Sequence, residues 1–157
     1  MRSLPLFLGI AALVLVLIVA LPRCTHRPAA SAVRASWTLT PGVLNPDVTQ
    51  ATIRSTICVR GWTATVRPPT SYTSTLKRQQ LNEYGLRGPP SAYQEDHLIS
   101  LELGGHPTDP RNLWPEPYPR ASEVDSVEND LNAKVCSGQL SLAEAQQQES
   151  ELKHTDG

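Results

Sequence analysis

Asp96 and His97 stand side by side in the stretch Gln94 to Trp114, which reads QEDHLISLELGGHPTDPRNLW. Unperturbed imidazole titrates at about 6.5, so His97 can accept a proton at neutral pH. Asp96 offers hard oxygen ligands of the kind that Mg²⁺ or Mn²⁺ takes. A base that activates water, beside a cation that neutralises developing charge, is what phosphodiester hydrolysis requires. Consecutive side chains on a strand point to opposite faces, so these two reach one site only where a strand ends or bulges. Gly104-Gly105 supplies a turn nearby, and Asn112 opens a second short apolar run.

The elements that must hold these residues are legible in part. Tyr93 to about Ile99 reads as a strand, Leu103 to Pro110 as a turn, and Asn112 to Trp114 as a short strand. Trp114 reads as a core residue and His106 as a solvated turn residue. Pro115, Pro117 and Pro119 should interrupt regular structure until Ser122, where Asp125 completes an N-capping signal. Val124, Val127, Leu131 and Val135 recur at helical spacing, and Gly138 stops that helix. Ser141 with Glu144 forms a capping box for a last helix, beyond which the tail after about Glu151 is polar and should fray. Upstream, Val48 to Ile57 reads as a short helix, and the alternation in Trp62 to Val66 reads as a strand. Ser71 to about Tyr84 reads as a helix ended by Gly85.

The order DH…LGG…NL resembles the core of the HNH endonuclease family over about residues 93 to 137. The likeness extends more loosely to about residue 148, in small exported HNH-like proteins carrying the Cys58 and Cys136 segments. It implies an α+β fold with a ββα-metal core and flanking helices, to which the apolar run Leu4 to Pro22 adds a preceding N-terminal helix. It implies a metal-dependent endonuclease with His97 as general base and Asn112 as the amide that fixes that histidine across the loop. The third family position, on the helix, binds the metal; Asn132 is the candidate, with Asp125, Glu128 and Asn129 as alternatives. The chain departs from the family in having asparagine there, and in the 20 residues from Asn112 to Asn132, most of the excess being Pro115 to Arg120. The expected cofactor is a divalent ion held by Asp96 and Asn132, Mg²⁺ before Mn²⁺ or Zn²⁺. Arg111, Arg120, Arg60 and Arg67 are candidate phosphate contacts. The expected partner is nucleic acid, DNA before RNA, read with little sequence preference and no small-molecule cofactor. The alternatives are an inactive membrane-tethered nucleic-acid-binding module on the same scaffold, or a small envelope structural protein.

Bulk features set the address. At 157 residues the length favours a single domain. Leu4 to Pro22 is a run of nineteen residues without a charge, flanked by Arg2 and Arg23, which reads as a membrane anchor or a secretory signal within residues 1–22. Residues 23–45, rich in Ala, Pro, Arg and Ser, read as a linker, and 46–152 as the nuclease-like domain. Either reading exports the domain, extracytoplasmic and anchored or else secreted, so Cys58 and Cys136 should form a disulfide; no CxxC or CxxH spacing suggests a zinc knuckle. Residues 23–90 carry nine Lys/Arg against two acids, and residues 91–157 carry four against thirteen. That split offers a basic surface for phosphate and an acidic one for a cation.

Overall fold

In the computed structural model, Tyr93–His97 (β1) and Leu113–Pro117 (β2) pair antiparallel, with Asp96 opposite Trp114 and His97 opposite Leu113. The structure describes residues 33–157, so the apolar segment 1–22 and Cys24 lie outside the described residues. Pro115 and Pro117 were expected to break the chain, yet they extend β2. The ladder runs through Leu98–Asn112 and Tyr118–Ala92 backbone bonds, which places both prolines at alternate positions whose nitrogens face away from β1.

Helices surround this ribbon and make the fold α+β. Trp62–Val66 (α1) is a helix, not the expected strand. Five residues of alternation cannot choose a period, and a strand also needs a ladder partner, which this segment lacks. Val48 to Ile57 forms only a 3₁₀ turn at Ile53–Ser55. The Thr52 hydroxyl bonds the Asp47 carbonyl at 2.8 Å and accepts from the Thr49 amide at 2.8 Å, local bonds that compete with a helix. Thr70–Glu83 (α2) matches its expectation and packs on both strands.

Arg120–Ser137 (α3) begins two residues before Ser122, whose amide bonds the Pro119 carbonyl inside the first turn; Gly138 ends the helix in the left-handed conformation (φ 80°). Its buried stripe is Ala121, Val124, Glu128, Leu131 and Val135, while Val127 is 38% exposed. Leu142–Thr155 (α4) opens on the Ser141–Glu144 capping box. It continues through the tail expected to fray, because Lys153 and His154 are buried.

What covers this end of α4 is the stretch 33–45, which was expected to be linker. The Ala35 amide bonds the Lys153 carbonyl at 3.0 Å, His154 Nε2 bonds the Thr40 carbonyl at 3.0 Å, and Trp37 stacks on His154 at 3.6 Å. Val48, Ile53, Ile57, Ile99, Leu103, Leu131 and Val135 form the main core together with the start of α4. Cys58 and Cys136 are bonded (Cα–Cα 5.6 Å), tying the 3₁₀ segment to α3 across 78 residues. Closing such a loop stabilises the fold by about 4.5 kcal/mol in the chain-entropy model. A disulfide fits an oxidising compartment. Among the described residues, no helix is long and apolar enough to cross a membrane.

Candidate functional site

The loop between the strands is held from inside by one amide. Asn112 is fully buried; its Oδ1 accepts from the Ile99 amide at 3.0 Å, and its Nδ2 donates to the carbonyls of Ile99 at 3.0 Å and His106 at 3.1 Å. Those bonds require a bare backbone opposite. A Cβ on Gly105 would lie 1.7 Å from the Ile99 oxygen and 2.6 Å from Asn112 Nδ2, so only glycine fits. His106 serves the same loop, its Nδ1 accepting from the amides of Thr108 at 3.2 Å and Asp109 at 3.0 Å.

The loop in turn supplies the partner of His97. Nε2 lies 3.0 Å from the Pro107 carbonyl. A carbonyl only accepts, so Nε2 carries the hydrogen and the lone pair of the neutral ring sits on Nδ1. Burial pushes the imidazole below its ordinary value, with the Lys153 and Arg67 charges acting the same way against the Pro107 bond and Asp96. His97 is therefore neutral at pH 7, with a defined basic nitrogen.

Asp96 faces elsewhere. Its Oδ2 accepts from Lys153 Nζ at 2.8 Å, and its Oδ1 from Gln94 Nε2 at 3.2 Å. Lys153, fully buried, spends its remaining hydrogens on Glu128 Oε1 at 2.6 Å and the His97 carbonyl at 2.5 Å. All three donors of the ammonium are thus satisfied. Burial disfavours both charges, but their pairing outweighs it: the Asp96 carboxyl is held well below the usual range and the Lys153 ammonium well above. Glu116, fully buried on the same face of the ribbon, is pushed up to about 9 by burial and is protonated at neutral pH. The Asp96 charge beside it pushes the same way, and neither Glu116 carboxyl oxygen finds a hydrogen-bond donor. Glu149, one turn before Lys153, has its carboxyl raised by burial and accepts from the Ser100 amide with both oxygens at 3.0 Å.

The metal expected at Asp96 and Asn132 does not fit at Asp96. Asp96 already has a cation, and Asn132 turns its Nδ2 to the carbonyls of Glu102 at 2.7 Å and Ile57 at 3.4 Å. Of the alternatives, Glu128 is bound by Lys153, while Asp125 and Asn129 are exposed, the latter donating to the Asp125 carbonyl at 2.6 Å. Among the described residues, no group of three or more His, Cys, Asp or Glu side chains is arranged to hold a metal ion.

The four arginines scatter. Arg111 is exposed and tied to Asp109 through two bonds, at 2.7 and 3.0 Å. Arg120 is turned to the Gly157 carbonyl and Glu123. Arg60 borders a cavity of about 290 Å³ that Asn132, Glu102 and the cystine also line. Arg67 is exposed, and its charge acts on both His97 and Glu102. Burial, with Glu128 and Asp125, pushes Glu102 up to about 7. Trp114 is fully buried, closing it to base stacking.

No family model, curated protein or solved structure matches the chain. Sequence reasoning missed Lys153, Glu149 and Glu116. A signal existed for the first two: Leu142, Ala145, Glu149 and Lys153 lie on one helical stripe, and α3 carries Glu128 in its own apolar stripe. Opposite charges within two apolar faces mark helices that meet through an ion pair.

Proposed function

We propose that the domain is an exported, HNH-type phosphodiesterase of the ββα class that cleaves nucleic acid, DNA before RNA, with His97 as the general base. The observation that carries this reading is the His97 ring, its Nε2–H fixed on the Pro107 carbonyl and its Nδ1 lone pair left for a water proton. In the proposed step His97 Nδ1 takes a proton from water, the resulting hydroxide attacks phosphorus, and the P–O3′ bond breaks. Arg67, an exposed cation whose charge acts on His97, is a candidate to meet the developing negative charge. Asn112 contributes by holding the loop that presents Pro107. Removing a general base typically costs about 10²–10⁴-fold in rate. His97→Ala should therefore lose at least about a hundredfold in nicking of supercoiled plasmid while still unfolding in one cooperative transition, at a somewhat lower temperature because the part-buried Pro107 carbonyl loses its donor. Cutting at the wild-type rate by that variant would remove His97 from the mechanism.

A second reading is favoured by the capture of Asp96. On it, the domain binds nucleic acid without cutting. A wild-type chain that shifts DNA in a gel yet leaves supercoiled plasmid intact would select it.

A further inference from the structure

Lys153 occupies a position with the attributes of a hard-cation site. Its acceptors are all oxygen and come from two separate elements: Asp96 Oδ2 and the His97 carbonyl from β1, Glu128 Oε1 from α3. A third carboxylate, Glu149, stands 3.7 Å away on α4. Oxygens gathered this way from strand and helix are what Mg²⁺ or Mn²⁺ would bridge. The ammonium itself is fully buried, which leaves no space for the waters that Mg²⁺ keeps. A divalent ion at Asp96 would also face a positive charge within contact distance.

We infer that Lys153 is the resident cation of this site, standing in the place of a divalent metal, so that the chain organises Asp96 and His97 without binding metal at Asp96. The ammonium fixes the backbone at His97 directly, through that residue's carbonyl, and leaves the imidazole free to bond Pro107. Lys153 is in this sense a positioning residue, delivered by the last turn of α4.

The test reads metal binding, so it is decided whether or not the chain cleaves nucleic acid. The full chain with its cystine intact is titrated with Mn²⁺, free ion being followed by electron paramagnetic resonance. Wild type and Asp96→Asn should bind Mn²⁺ alike and weakly. Lys153→Met should gain affinity on the order of tenfold or more, a change of the size seen when groups around a metal site are altered. That gain should vanish in Lys153→Met combined with Asp96→Asn. Tight wild-type binding abolished by Asp96→Asn would overturn the inference, as would a folded Lys153→Met that gains nothing. If Lys153→Met does not fold, the wild-type and Asp96→Asn titrations decide alone, since neither alters Lys153.

Discussion

Asp96 and His97 are neighbours in sequence with opposite fates. Asp96 faces inward to a buried ammonium and a protonated glutamic acid, with its charge fully answered. His97 turns to the inter-strand loop, where a carbonyl takes one nitrogen and the other keeps its lone pair. Strand alternation alone separates the two side chains. The lesson is that an acid adjacent to a histidine need not work with it. Here the acid belongs to the scaffold and the histidine to the candidate chemistry, and Lys153 serves both by bonding the Asp96 side chain and the His97 carbonyl.

The largest effect should come from breaking the Asp96 side. Lys153→Met leaves buried carboxylates without their cation, a loss of roughly 3–5 kcal/mol in urea unfolding at pH 7. A loss below about 1 kcal/mol would mean that the acids neutralise one another by protonation, and the contrast between the two sides would shrink. Asn112→Ala breaks the His97 side from behind. It strands the Ile99 amide and two carbonyls and should cost about 2–3 kcal/mol, with the loop amides from Ile99 to His106 losing exchange protection first.

Glu149→Gln should cost about 1 kcal/mol or less, because the buried carboxyl is pushed toward its neutral form and an amide oxygen still accepts from Ser100. A larger loss would show Glu149 to be charged. The smallest effect is the pH term of His97. Burial depresses its folded value, so below about 6.5 the unfolded chain binds the proton more readily and stability falls. Between that value and the lower folded one, the stability difference between wild type and His97→Gln should change with pH, and above it stay flat. A flat difference throughout would show that His97 titrates alike in both states.

Much of the scaffold was legible. The α4 capping box, the Gly138 stop, the α2 helix and the Cys58–Cys136 bond follow from local rules of capping, spacing and compartment. The errors share one cause. Trp62–Val66, the prolines of β2 and the segment 33–45 take their states from partners distant in sequence: a ladder that bonds only alternate residues, and a helix end that needs covering. At the site, Asn112 and its loop lie within twenty residues of His97 and are readable together. The partner of Asp96 lies 57 residues away, in a tail whose polarity suggested fraying.

The sequence by itself determined the acid–histidine pair, the glycine that lets Asn112 reach across the loop, and the helices that end at Gly138 and begin at Ser141. Those follow from sterics and hydrogen bonding among near neighbours. Tertiary structure alone decided what Asp96 does. A carboxylate in water can wait for a metal. Once α4 packs against α3 and the turn Leu101–Leu103, Lys153 is buried beside Asp96, and a buried ammonium must satisfy its three hydrogens with the oxygens it meets.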